Sequence, residues 1–179
     1  TADHVMDNYT LRVPNPDSAM PMPMGSNVER RTRGGRVASE WRWDDVAFVA
    51  GVDVEDSRHR ARSAMGRDAY RALPWSRDAQ FRRSGVFSEA TFGAGTASRW
   101  VSGLRLDRAS ARDLRATAGG GMMAMPNPTA GHERREWLGS GFTRYEADVS
   151  PGLTWYAGIG HAERMPDYWE LFSADAGPA

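Results

Sequence analysis

The sequence predicts an all-β fold, an antiparallel up-and-down meander of about seven strands that forms an incomplete part of a transmembrane β-barrel. Three observations lead to this prediction. Apolar and polar residues alternate over short stretches, tight turns alternate with long polar segments, and aromatic residues cluster near the tight turns. No stretch has the roughly 20 apolar residues of a spanning helix, whereas a spanning strand needs only about 9–11 residues.

The strands are predicted from apolar residues at every second position, which gives one apolar and one polar face. The alternation is strongest at 46–55, 99–107 and 153–160. In residues 28–43 only the last part of the stretch has an apolar face. The seven predicted strands are residues 4–13, 28–43, 46–55, 79–92, 99–107, 135–148 and 153–160.

Two kinds of connection alternate along the chain. Residues 44–45, 93–96 and 150–152 are rich in the residues that tight turns favour. The long connections are polar and rich in Arg, Gly, Pro and Met, and we expect them on the external side as loops at about 14–27, 58–78, 109–134 and 163–179. Seven strands would leave two unpaired edges, so the barrel needs partner strands from outside this sequence.

The aromatic residues favour a barrel over a soluble β-rich binding domain. Trp43, Trp100 and Trp155 lie close to the three tight turns. We expect their side chains at one height and directed outward, as in an interfacial girdle. A soluble sandwich would pack such rings together inside its core.

Composition excludes several function classes. Lys+Arg and Asp+Glu both number 23, so the chain lacks the basic excess of a nucleic-acid binder. Cysteine is absent, which excludes thiolate metal sites and Cys nucleophiles. No catalytic motif is found, and we expect neither an enzyme nor an organic cofactor. The first residues show no signal peptide and the last ones read as an interrupted loop, so we expect a fragment of a larger protein.

Residues 161–172, His-Ala-Glu-Arg-Met-Pro-Asp-Tyr-Trp-Glu-Leu-Phe, resemble the segment of TonB-dependent receptors in which an Arg, a Pro and an aromatic precede Glu-Leu-Phe. Residues 4–12, 75–79, 103–107 and 127–130 resemble the copper receptors of that family. The resemblance implies a Gram-negative outer-membrane protein surrounded by lipid. It also implies an N-terminal plug and contact with the TonB complex through an N-terminal part that this sequence lacks.

His4 and Met6 form the first candidate metal site. One residue separates them, so on a strand their Cβ atoms would lie about 6.6 Å apart on the same face. If Val5, Tyr9 and Leu11 face lipid, this face is the lumen. A thioether favours soft Cu(I), so the pair predicts copper, with further ligands from outside the chain. The alternative is that Met6 fills space and His4 bonds a neighbour.

Methionines in two loops form the second candidate. They are Met20, Met22, Met24, Met122, Met123 and Met125. Methionine normally fills gaps in a core, so six of them in Pro- and Gly-rich loops suggest weak capture of copper. Packing of the loops over the barrel mouth is the alternative.

The remaining charged groups have simpler interpretations. Asp53 and Glu55 are predicted to be lumen-facing charges that pair with Arg105 or Arg99, and His59 is predicted to belong to a solvated loop. The function predicted is therefore copper binding or import by an outer-membrane receptor segment. A siderophore receptor and a soluble β-rich binding domain are the alternatives.

Overall fold

The computed structural model describes residues 2–12, 24–66, 68–118, 125–167 and 170–171. Within these ranges the chain forms nine β-strands and one short 3-10 helix, Ala69–Ala72. The strands are β1 Ala2–Arg12, β2 Met24–Trp43, β3 Val46–Met65, β4 Ser76–Phe92, β5 Ser98–Asp113, β6 Thr117–Ala118, β7 Met125–Pro126, β8 Glu133–Ser150 and β9 Leu153–Ala162. None of the described helices is long and apolar enough to cross a membrane.

Seven strands form one antiparallel sheet in the order β1-β2-β3-β4-β5-β8-β9. The sheet is not closed, which confirms the predicted incomplete meander; β1 and β9 are its edges. The predicted tight turns at 44–45, 93–96 and 150–152 connect the hairpins. Strands β6 and β7 pair in a separate two-stranded ribbon that the sequence did not predict.

The strands extend farther than predicted into the segments expected to be loops. β3 continues to Met65 and β4 begins at Ser76, so residues 58–65 and 76–78 of the expected loop 58–78 belong to strands. β5 continues to Asp113 and β8 begins at Glu133, which shortens the expected loop 109–134, and β2 already begins at Met24. These extensions are rich in Arg, Ser and Ala and have no run of large apolar residues at alternate positions, which is the signal by which a strand is recognised. Cross-strand pairs such as Arg60–Glu29 stabilise them instead.

The register divides the sheet into two faces. We call the face that carries Val52 and Leu104 the outer face, and the face that carries Asp53 and Arg105 the inner face. Val52 and Leu104 are 52% and 70% exposed, and the outer face has no covering layer in the described structure. Most of the buried apolar side chains on the sheet belong to the inner face, namely Val101, Ala109, Ala111 and Leu138.

The predicted aromatic row is confirmed. Register aligns Trp43 with Val46, Phe92, Trp100 and Tyr145 in one row beside the tight turns. Trp155 lies two residues closer to its turn than this row, and its ring contacts Tyr145 with centroids 6.2 Å apart. All three predicted tryptophans have more than half of their surface exposed. They do not pack in a closed core, which is what the soluble alternative required.

Candidate functional site

The centre of the inner face is an ion-pair cluster that joins β3 and β5 across the intervening strand β4. Both terminal nitrogens of Arg105 on β5 donate to Asp53 on β3 at 2.7 Å. Arg105 also donates to Asp107 at 2.6 and 2.5 Å. The predicted pairing of Asp53 with Arg105 is thus confirmed. Charge-assisted bidentate bonds of this kind fix the orientation of the guanidinium.

Glycines on the intervening strands allow these long side chains to reach across. A Cβ at Gly85 of β4 would lie 2.3 Å from Asp107 Oδ1 and 2.6 Å from a terminal nitrogen of Arg105. A Cβ at Gly51 of β3 would lie 2.5 Å from the Phe87 ring. That ring lies 3.8 Å from the guanidinium carbon of Arg36 on β2. Each glycine therefore leaves space for a contact between its two neighbouring strands.

The prediction that His59 belongs to a solvated loop is wrong. His59 lies in β3, is 8% exposed, and its ring packs against Phe81 with centroids 5.3 Å apart. The alternation of Arg58, Arg60 and Arg62 around it is the signal that could have shown a continuing strand. Glu55, on the same face, pairs with Arg83 at 3.2 Å.

A cavity of about 560 Å³ opens on the inner face above the Arg105 cluster. His59, Phe81, Arg83 and Leu138 line it on the sheet, and residues 163–167 line it from the segment that follows β9. It has both charged and aromatic walls, and residues of several strands line it.

The segment after β9 is held by an ion-pair clasp between Arg164 and Glu170. The guanidinium of Arg164 donates to both oxygens of Glu170 at 2.7 and 2.6 Å. Asp167 and Glu170 exchange backbone-to-side-chain bonds of 2.8 and 3.0 Å. The bond from Arg164, with the Asp167 amide, lowers the pKa of Glu170 to about 2. The clasp joins the Arg and the Glu of the segment that resembles the receptors.

A second cluster, missed from the sequence, organises the chain between β5 and β8. Asp113 is 2% exposed and accepts hydrogen bonds from Arg115 at 2.8 Å, Asn127 at 2.9 Å and Thr129 at 2.7 Å. Burial alone would raise the pKa of Asp113, but these bonds outweigh it and lower the pKa well below its usual range. Asn127 Oδ1 also accepts from the Thr129 amide at 3.2 Å, a turn that the sequence Asn-Pro-Thr makes recognisable.

The backbone of β1 puts His4 and Met6 at inner-face positions of the register. His4 pairs with Thr32 and Met6 with Arg30, and Arg30 in turn pairs with His59. Because β1 is antiparallel to β2, it runs toward the long-loop end of the sheet, as predicted.

The methionines of the second candidate are only partly described. Met24 is the first residue of β2, and Met125, in β7, is 69% exposed. Met20, Met22, Met122 and Met123 lie outside the described residues. Among the residues that the structure describes, no group of three or more His, Asp or Glu side chains is arranged to hold a metal ion. The methionine and His4–Met6 sites therefore stay predictions.

Comparisons with known proteins agree with this geometry. A family model described as TonB dependent receptor-like, beta-barrel matches residues 7–179. A solved structure titled "Copper transporter OprC" is 52% identical, with a TM-score of 0.76 over 96% of this chain. The present chain spans only 28% of that structure's chain. No curated protein matches the chain.

Proposed function

The chain belongs to the TonB-dependent receptor β-barrel family, and from this premise we propose that it is a segment of an outer-membrane receptor that binds or imports copper. The family is one of receptors and not an enzyme class. The observation that carries the proposal is the 52% identity, over 96% of the chain, to a copper transporter.

His4 and Met6 are the proposed lumen ligands. Their inner-face register supports this assignment, because two residues of the same strand face would present an imidazole and a thioether about 6.6 Å apart at Cβ. A thioether favours Cu(I) over harder ions, and we therefore propose Cu(I) as the bound form. Two ligands do not complete a copper site, so the others would come from the plug or from strands beyond this segment.

The loop methionines are proposed to collect copper before it reaches that site. Strand β1 runs toward the long-loop end, so loop thioethers would lie on the external side of His4 and Met6. Copper would then pass inward from weak thioether contacts to a site that includes a nitrogen ligand. Transport would also require the TonB complex, reached through the N-terminal part of the full-length receptor.

The test is a copper titration of the full-length receptor and its His4→Ala/Met6→Ala variant. We expect the double substitution to abolish tight copper binding without changing the melting temperature. A matched control is His161→Ala/Met165→Ala, which also removes one imidazole and one thioether, with His161 at an outer-face position and 75% exposed. Unchanged tight binding in the first variant would remove His4 and Met6 from the site.

A second variant tests the capture step. Replacing the six loop methionines by Leu should slow copper uptake at low copper concentration and leave the tight site intact. Loss of all binding in this variant alone would contradict the two-step proposal. A receptor that bound a ferric siderophore and no copper would instead support the siderophore alternative.

A further inference from the structure

On the five central strands β2, β3, β4, β5 and β8 the outer face carries no charge near the tight turns, while on the edge strand β9 His161 lies in the same row as Leu104. The four outer-face positions next to the turns on these five strands number twenty in all. They extend from the aromatic row to the row of Val37, Val52, Val86 and Leu106, and none is Arg, Asp, Glu or His. This uncharged band covers about 20 Å along a strand, in six steps of about 3.3 Å.

The next three outer-face rows are crowded with arginine. We call these seven residues the arginine belt: Arg31, Arg33, Arg58, Arg82, Arg108, Arg112 and Arg135. Three carboxylates share the three rows, namely Asp56, Glu133 and, opposite Arg33 on the edge strand β1, Asp3, so the net charge of the rows is +4. The chain as a whole has a net charge of zero, so the excess is a local arrangement created by the register.

The carboxylates of these rows cannot neutralise the belt. Arg58 and Arg82 share one carboxylate, that of Asp56, at 2.9 and 3.3 Å. Arg135 bonds Glu133 at 2.6 Å. The guanidinium carbon of Arg108 lies 5.7 Å from the centre of the Trp137 ring, and Trp137 belongs to the first row beyond the uncharged band. The side chains of Arg58, Arg82 and Arg135 remain 65%, 64% and 61% exposed in spite of these pairs.

The belt lines a shallow groove of about 870 Å³ on the outer face. Its lining includes Arg33, Arg82, Arg108 and Arg135. Val54 also lines the groove, on the side that faces the uncharged band. A ligand that fits this surface has negative groups that contact the arginine belt and an apolar part that contacts the uncharged band. A lipid with a phosphorylated headgroup has this shape, because its acyl chains would lie against the band while guanidinium groups bind the phosphate oxygens in pairs.

We propose that the arginine belt binds the phosphate groups of anionic lipid in the outer leaflet of the membrane around the barrel. The inference rests on the proposed function to the extent that the sheet spans a membrane, and it is independent of the copper site. The belt fixes the height of the barrel in the leaflet, because cationic side chains at headgroup depth are attracted to anionic lipid.

The chain offers two pairs of substitutions that differ only in the face they affect. Arg82→Gln/Arg135→Gln removes two outer-face charges. Arg83→Gln/Arg134→Gln removes two inner-face charges one residue away on the same strands. Each pair also breaks comparable ion pairs, with Asp56 and Glu133 in the first variant and with Glu55 and Glu136 in the second.

The full-length receptor and both variants would be titrated in detergent with diphosphorylated lipid A, with its dephosphorylated form and with inorganic phosphate, and bound lipid would be counted by native mass spectrometry. We expect wild-type receptor to prefer the diphosphorylated lipid. The outer-face pair should lower that affinity roughly tenfold, and the inner-face pair should change it by less than about twofold.

Equal affinities of the two variants, or no preference for the phosphorylated lipid, would overturn the inference. Full displacement of the lipid by an equal concentration of inorganic phosphate would overturn the assignment to lipid. Copper titration of the same samples separates this inference from the proposed function. If copper binding is intact and there is no lipid preference, only the lipid inference is contradicted. If the outer-face variant alone loses lipid affinity and no copper is bound, the lipid inference is supported and the copper proposal is contradicted.

Discussion

At the scale of single residues, Gly85 decides how the inner face is assembled. It sits on β4, between Asp53 of β3 and Arg105 of β5, and the absence of a side chain lets the guanidinium cross from one neighbouring strand to the other. A buried charge is stabilised only when its partners are present and well oriented. The ion pair therefore depends on a residue that takes no part in it.

Gly85→Ala should destabilise the full-length receptor by about 1–3 kcal/mol, because the new methyl group would displace Arg105 and Asp107. Urea unfolding in lipid vesicles measures this change. Gly139→Ala is the control, since its Cβ would meet only Glu163 Oε2, at an ordinary 3.7 Å. Equal effects of the two substitutions would mean that close contact at Gly85 does not matter.

The clasp of Arg164 and Glu170 should depend on pH in a defined window. The pKa of Glu170 is about 2 in the folded protein, against an ordinary 4.5. The contribution of this carboxylate is therefore complete above pH 4.5 and is lost as the pH falls toward 2. Glu170→Gln should reduce the hydrogen-exchange protection of residues 163–167, and this difference from wild type should be constant from pH 5 to 8 and shrink below 4.5.

Asp45→Asn, in a turn at the opposite end of the sheet, is the control and should leave the protection of that segment unchanged. If the protection difference caused by Glu170→Gln stayed the same down to pH 2, another contact would be holding the segment.

At the scale of strands, one register produces two different surfaces along the same element. β3 presents Val52 to the outer face and Asp53 to the inner face, and farther along it presents Arg58 outward and His59 inward. Its first part has the alternation of a lipid-facing strand, and its last part is polar on the outside. The strand is therefore longer than the uncharged band that its first part contributes to.

Substitution by arginine should reveal the depth of the uncharged band. Leu104 lies in the middle rows of the band and is 70% exposed, so Leu104→Arg should destabilise folding into vesicles by about 2–4 kcal/mol. Val52 lies in the last uncharged row below the arginine belt, and Val52→Arg should cost less, about 0–1 kcal/mol.

Val49→Arg serves as the inner-face control. Val49 pairs with Glu40 and Glu89, so a new arginine there would meet two carboxylates and should cost little. A cost for Val49→Arg as large as that for Leu104→Arg would show that the two faces have been assigned wrongly.

At the scale of the whole molecule, the sheet has two open edges that cannot stay open in lipid. β1 and β9 each pair with one neighbour, and all ten residues of β9 are exposed in the described structure. Unpaired backbone groups cost several kcal/mol each in hydrocarbon, so further strands must satisfy them in a membrane.

In the full-length receptor, the amides of β9 that do not bond β8 should be protected from hydrogen exchange as strongly as those that do. The physical reason is that closure of the barrel gives β9 a second neighbour. Exchange of alternate amides at the rate of an open edge would contradict closure at this strand. The central strands β3 and β4 provide the reference for full protection.

The sequence by itself determined the fold class, the tight turns and the aromatic row, because period-two alternation and turn residues are local signals. It also led to the pairing of Asp53 with Arg105, since both lie at polar positions of alternating strands. It did not lead to the strand extensions, the burial of His59 or the Asp113 cluster, because these depend on contacts between segments that are separated in the chain. Only the tertiary structure decided that arginines scattered over five strands form one belt, because the register across those strands sets which side chains share a face and a height.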